Sequence, residues 1–428
     1  MSVKERINSM EWKAALDSLK PSKKELEHGL KLHAESVVFD SYALGVYAQG
    51  SEEWRMKHAA VIQKKVEEGA SAKEIADLNE EMGQVRNITD EQAWEDYKKI
   101  FEASGVTSIF QNAGQENQDP LRVLRRITRH TLVTDFGKDF VIKAVSPADV
   151  LKAKKENKHA LYFSANAVPL PQRWESAEAE LDMIHLFFQL GIRMMHLTYN
   201  RSNMIGDGCG ESTNAGLSDF GRTVVKEMNR TGVIVDIAHS GWQTSKEAAL
   251  LSEKPMVASH SGCAALNNHY RMKPDDVIKA IADSGGYIGI CWVGAFLGGD
   301  CGLKSVVDHI DYAAKKFGAE HVAVGSDKTA TIHRSPSAGF KLPEIKNYPR
   351  GRKAWQGLWP EPVSRVDRKK VEQSALSMSW TNWPLVTVGL VQRGYKDADI
   401  KKIIGGNVLR VAKANLEGSA YVPAGYEV

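Results

Sequence analysis

Eight short runs rich in β-branched and aromatic residues recur along the chain, and most are followed by a stretch of helical periodicity. This alternation constrains the fold more than any other feature. The runs are Ser36–Phe39, Val106–Gln111, Leu161–Ser164, Met194–Thr198, Val233–Ile237, Met256–Ser259, Tyr287–Cys291 and Val322–Gly325. Helical spacing of apolar residues marks Ala177–Leu190, Leu217–Arg230, Thr244–Leu251, Pro274–Ser284 and Ser305–Phe317. Ser218 or Asp219 can cap the second of these, and Pro274-Asp275-Asp276 makes a first turn that suits the helix dipole. Strands and helices in this order predict an α/β fold, the (β/α)8 TIM barrel. A doubly wound sheet is the rival, but no GxGxxG follows the first run to favour its dinucleotide-binding form.

A barrel of about 250 residues leaves a surplus in a chain of 428. Residues 1–428 read as one domain with the surplus in four places. Residues 1–30 form an N-terminal helical segment. Residues 50–102 are charged and helical in pattern, with turn signals near Gly69 and Asn87, and predict a helical insertion after the first strand. Residues 329–368 are rich in Pro, Gly, Arg and Trp and predict a long ordered loop after the eighth strand, a lid or an interface. Its stretch Trp355–Trp359 offers apolar surface to a second copy, so a homodimer is the candidate assembly. Residues 385–415 supply closing helices.

Lys and Arg number 56 against 53 Asp and Glu, a net charge of +3. No nucleic acid and no membrane surface is therefore expected as a partner. The first 30 residues lack an apolar core between charged ends, so no secretory signal is expected. The longest nearly apolar run, Gly285–Gly299, has 15 residues, short of the roughly 20 that cross a bilayer. Cys209, Cys263, Cys291 and Cys301 form no CxxC pair, which points to a reducing, cytoplasmic setting. Buried inert thiols are the expectation for Cys263 and Cys291.

In such a barrel the reactive groups stand where strands end, on the C-terminal face. The fifth run ends Asp236-Ile237-Ala238-His239-Ser240, the sixth Ala258-Ser259-His260-Ser261 and the eighth Gly325-Ser326-Asp327. His239, His260 and Asp327 can converge on one point, a set that suits Zn²⁺ or a similar ion able to activate water. The competing reading is polar residues that cap strands. Arg271 precedes a helix start and could hold a carboxylate bidentately. The glycine-rich stretch Asn200–Glu211 after the fourth run reads as a tight loop beside the mouth. His28, His58 and His159 lie in charged stretches and read as exposed.

These pieces resemble the membrane (renal) dipeptidase family of metallopeptidases, one of the amidohydrolase-type barrels. The matching segments are LTYNRSNMIGDGCGE (197–211), GLSDFGRTVVKEMNRTGVIVDIAHSG (216–241), KPMVASHSGCAALNNHYRMKPDD (254–276), HVAVGSDKTA (321–330) and RGYKDADIKKIIGGNVLRV (393–411). They run in the family's order over about half the chain. The resemblance implies a two-zinc hydrolase of short peptides. It places His239 and His260 at one metal, Asp327 at the other metal and at the water proton, and Arg271 at the substrate's terminal carboxylate.

The departures from the family pattern matter as much. Its first strand ends in Asp-Gly-His-x-Asp; here the segment reads Asp40-Ser41-Tyr42-Ala43-Leu44, with Tyr42 at the histidine and Leu44 at the second aspartate. Ala165 stands at the bridging glutamate and Tyr199 at the histidine that polarises the substrate carbonyl. Three expected ligands are thus replaced. The reading that follows is a hydrolase with one divalent metal, zinc by its ligand chemistry, on His239, His260 and Asp327. It would cleave an amide bond in a dipeptide or similar small carboxylate-bearing substrate, with Asp327 as base and Tyr199 or Tyr42 as oxyanion donor. The alternatives are a metal-independent lyase or isomerase acting on a small amino or hydroxy acid, and a binding protein without catalysis.

Overall fold

Valine, isoleucine and alanine crowd the runs that the chain buries most completely, and these runs form the strands. The computed structural model describes residues 9–114, 118–332, 337–351, 359, 368–423 and 428. The strands are β1 (Phe39–Ala43), β2 (Gly45–Val46), β3 (Ser108–Asn112), β4 (Val141–Ala144), β5 (His159–Ala165), β6 (Ile192–His196), β7 (Ile234–Asp236), β8 (Val257–Ser261), β9 (Tyr287–Ile290), β10 (Val322–Val324) and β11 (Thr329–Ala330). Eight of them pair in parallel in the order β1-β3-β5-β6-β7-β8-β9-β10. All eight runs read from the sequence become these strands, and the fold is the expected (β/α)8 barrel.

Two details differ. The first strand lies a few residues later than its apolar run, so Asp40-Ser41-Tyr42 are within β1 rather than beyond it. The short β4 pairs with the first half of β5, while the last three residues of β5 pair with β6. Lys143 disguised β4 in the sequence; its ammonium donates to the Leu190 carbonyl at 2.6 Å.

Phe39, Phe110, Tyr162, Met194, Ile234, Val257, Tyr287 and Ala323 belong to one buried cluster. They come one from each of the eight strands, so the barrel is a packed core rather than a pore. Phe39 stacks on Phe110 at 5.2 Å, and Phe110 meets Tyr162 edge-on at 4.8 Å. Outward-facing Val233, Val235, Ile288 and Ile290 join the helix residues Val224, Met228, Ile278, Ile281 and Ile310 in the larger cluster. The helix Asp219–Thr231 begins at Ser218, whose hydroxyl accepts from Gly221 N.

β1 and β10 end the sheet order, and a buried carboxylate joins their edges. Asp40 Oδ1 accepts from Ser326 N at 2.8 Å, and Asp40 Oδ2 accepts from the indoles of Trp380 and Trp383 at 2.8 and 3.0 Å. Asp327 N donates to the Tyr42 carbonyl at 2.9 Å. The closing helices are Trp383–Gln392, Asp397–Lys401 and Asn407–Leu416, with a wide turn at Lys402–Gly406. A side chain at Gly405 would begin 2.3 Å from the Val37 carbonyl oxygen, so only glycine lets this turn reach the start of β1.

The insertion after β2 consists of the helices Glu52–Glu67, Ala72–Thr89 and Glu91–Ser104, capped by Ser51, Ser71 and Asp90. Arg129 ties it to the helix Pro120–Phe136 through Glu80 at 3.1 Å. The long loop starts as β11, which pairs with β2. Its Trp355 lies outside the described residues. The N-terminal segment forms two helices, Met10–Leu19 and Lys23–Glu35. No helix among the described residues is long and apolar enough to cross a membrane, and Gly285–Gly299 contributes β9 and a short helix, Gly294–Leu297.

Candidate metal and substrate site

The polar ends of β1, β6, β7 and β8 meet above the aromatic floor. Three imidazoles gather there. The ring of His196, the last residue of β6, lies 5.3 Å from those of both His239 and His260, and these two rings are 5.0 Å apart. His239 Nε2 and His260 Nε2 face each other at 3.0 Å. The other nitrogen of each ring is engaged. His239 Nδ1 is 2.7 Å from Asn200 Oδ1, so it carries the proton and leaves Nε2 as a lone pair. His260 Nδ1 is 2.8 Å from Ser259 Oγ, which donates onward to Asp236. Burial, reinforced by the nearby Arg271 cation, holds both imidazoles well below their usual pKa, so both are neutral.

Asp236 organises this ring of histidines. Its Oδ1 accepts from Ala238 N and Ser259 N, each at 3.0 Å. Its Oδ2 lies 2.7 Å from His196 Nε2, off hydrogen-bond alignment, and among the described residues His196 Nδ1 has no hydrogen-bond partner. Burial works to raise the Asp236 pKa, but His196 and Ser259 more than offset it and hold the carboxyl below its ordinary value. Among the described residues, His196, Asp236 and His260 form a group with ligand atoms all within 4.8 Å of one another.

Tyr42 stacks on His260 at 3.9 Å, and Tyr199 stacks on His239 at the same distance. The Tyr42 hydroxyl donates to Asn166. Leu44, at the position where the family carries an aspartate, is exposed. Ala165 is buried at the end of β5. Asp327 stands at the mouth with a left-handed backbone (φ 54°). The surrounding protein raises its carboxyl to about 6, against the pull of Arg271 and His196. It does not belong to the His196–Asp236–His260 group.

Arg271 is 1% exposed. Its guanidinium donates to the carbonyls of Ala238 and His260, the latter at 3.1 Å, and lies 3.4 Å from His239 Nε2. Among the described residues no carboxylate pairs with it. Lys273 is also buried, donating to Ser240 O at 2.7 Å and Ser245 Oγ at 3.1 Å, and burial lowers it to about 7.

The sequence reading thus named His239, His260, Tyr42, Tyr199 and Arg271, which the structure brings together, and Asp327, which stands beside them. It missed His196, although that residue ends a barrel strand and the strand-end rule would have found it. Asn200 and Asn166 were missed for want of any chemical signal. The four cysteines are buried. His58 and His159, read as exposed, are partly buried and bonded to Asn79 and the Val106 carbonyl.

Three imidazoles thus gather at the C-terminal mouth of a nearly closed parallel barrel, the face on which such barrels carry their reactive groups. Residues 74–350 match the membrane dipeptidase family, peptidase family M19. That stretch is more than half of the chain, and the protein belongs to this family. Dipeptidase verJ of Clonostachys rogersoniana is 31% identical over 227 residues, 52% of this chain and 48% of that protein. The match therefore spans about half the length of this curated relative. Among solved structures, an amidohydrolase from Pseudomonas aeruginosa is 25% identical, with a TM-score of 0.63 over 90% of this chain and 98% of its own. A metallo peptidase from Rhodobacter sphaeroides, liganded with a phosphinate mimic of the dipeptide L-Ala-D-Ala, shares the fold with a TM-score of 0.61 at 16% identity, over 89% of this chain and 100% of that one.

Proposed function

We propose that this protein is a dipeptidase-type hydrolase whose barrel mouth holds one divalent metal on His239, His260 and His196, and cleaves a dipeptide or similar small carboxylate-bearing amide. The observation that carries this reading is the pair of neutral imidazoles aiming Nε2 at each other across 3.0 Å, each with its Nδ1 engaged. Two lone pairs at that separation repel unless a cation lies between them. The orphaned Nδ1 of His196 offers a third donor. His196 and His260, with Asp236, have ligand atoms within 4.8 Å of one another, and His239 faces His260, a donor set whose chemistry suits a single ion. When bound, it would supply Lewis-acid activation of water and of the carbonyl near neutral pH. Zinc is the proposed metal because the donors are imidazoles.

The remaining steps belong to the chain. Arg271 receives the substrate carboxylate, and that anion neutralises a cation that the fold leaves unpaired. Asp327, at about 6, takes a proton near neutrality and can return it to the leaving amine. Tyr199, stacked on His239, and Tyr42, whose hydroxyl donates to Asn166, are the two candidate oxyanion donors. Leu44 and Ala165 remove the carboxylates that a second metal would need.

The test is metal analysis of the purified protein together with turnover of a dipeptide panel that includes L-Ala-D-Ala. We expect about one equivalent of metal, loss of turnover with chelator and its return with Zn²⁺. Chelator-insensitive turnover would overturn the metal reading.

A further inference from the structure

Away from the barrel mouth, the helical insertion and the loop that follows β11 line an open cavity of about 370 Å³, with no wall residue from the barrel-mouth cluster. This is an ordinary size for a small-molecule site. Arg86, on the helix Ala72–Thr89, lies in its wall and is 2% exposed. The guanidinium carbon is 4.2 Å from the ring centre of Tyr47 and 4.9 Å from that of Trp54, so two aromatic rings flank the cation. Among the described residues, its Nε and Nη2 have no hydrogen-bond partner. These two nitrogens form one edge of the guanidinium, the edge that matches a carboxylate side-on.

The nearest acid offers no relief. Asp90, one helical turn further on, already accepts from Ser51 N at 3.0 Å and Ala93 N at 2.8 Å, and from the Ser51 hydroxyl. Among the described residues no Asp or Glu lines the cavity, whereas Arg55 and His58 do. The rest of the wall sets Gln49 and Asn79 among the apolar Ala59, Ile62, Leu342, Ile345 and Tyr348. A buried guanidinium with an empty bidentate edge is unfavourable until an anion meets it.

We infer that this cavity binds a small organic carboxylate with a flat apolar body, the carboxylate on the Nε–Nη2 edge of Arg86 and the body against Ile62 and Leu342. A single bidentate edge and apolar walls favour a carboxylate over a phosphate dianion, which would call for more donors.

The full-length protein is titrated by calorimetry with 3-phenylpropionate and with its uncharged amide. The acid should bind at least about tenfold more tightly than the amide. Arg86→Met should weaken the acid by a similar factor, and so should Leu342→Trp, which fills the cavity from the exposed loop and leaves the buried arginine alone. Arg271→Met should retain the Arg86-dependent binding, which separates this cavity from the barrel mouth. Equal affinity for acid and amide would overturn the inference. So would binding untouched by both cavity variants, binding lost only in Arg271→Met, or no saturation below about 10 mM. Tighter binding of phenyl phosphate than of the acid would also overturn it.

Discussion

Replacing Arg271 by Met tests the substrate half of the proposed site. The guanidinium is fully buried and spends donors on the Ala238 and His260 carbonyls. The donors left over can meet a substrate carboxylate. Two charge-assisted hydrogen bonds are worth about 1.5–3 kcal/mol each, so about 3–6 kcal/mol in all. At about 1.4 kcal/mol per decade, kcat/KM for a free dipeptide should fall roughly a hundredfold to ten-thousandfold. The same dipeptide with an amidated C-terminus makes no such pair. It should start as a poor substrate and lose only a few-fold more in the variant. The assay is thus a two-by-two cycle of enzyme and substrate, whose interaction term isolates the contact. Arg271 also holds two strand-end carbonyls, so melting temperatures must accompany the rates. If acid and amide lose equal factors in a folded variant, Arg271 supports the barrel mouth rather than the substrate, and the reasoning fails.

Three further outcomes are expected. Since the Asp327 carboxyl lies at about 6, kcat/KM should climb with pH through that value and level off above it; a pH profile on Asp327→Asn that keeps the same acid limb would assign the ionisation elsewhere. Asn200→Leu frees His239 Nδ1 from its acceptor and should raise the metal dissociation constant by about 10- to 100-fold, read by competition with a chromogenic chelator; unchanged affinity would deny Asn200 its positioning role. Lys273 is at about 7 when folded against 10.5 as a free side chain. Below pH 7 both states hold the proton and the burial cost is fully present. Between the two values the unfolded state holds more proton, so stability rises with pH, by at most about 1.4 kcal/mol per unit. Urea unfolding of Lys273→Met should lack this slope, and an identical slope in both proteins would count against it.

The barrel was legible because its strands are buried on both faces and read as continuous apolar runs. The start of β1 was misplaced because polar Asp40-Ser41-Tyr42 continue the strand inside the barrel, where the seam rather than solvent satisfies Asp40. Among the site residues, those at strand ends could be named in advance. Their grouping could not, because it depends on how far each strand projects. His196 ends β6 and joins the imidazole ring, while Asp327 follows β10 with a left-handed backbone that sets it beside that ring. Family resemblance drew attention to Tyr199, three residues past His196, and so away from the imidazole itself. Arg86 carried no signal either, since one arginine in a charged helix looks like solvated surface until the cavity around it is seen.

The Asp40 seam bears on how the protein is made. In synthesis the indole partners of its carboxylate follow it by 340 and 343 residues. At about 5–20 residues per second that interval is on the order of 20–70 s. Throughout it Asp40 lacks its two indole donors, so the barrel of a nascent chain stays unsealed on this side. Closure waits for the segment that carries Trp380 and Trp383. A message truncated before Trp380 would therefore yield a proteolysis-prone open sheet rather than a shorter enzyme.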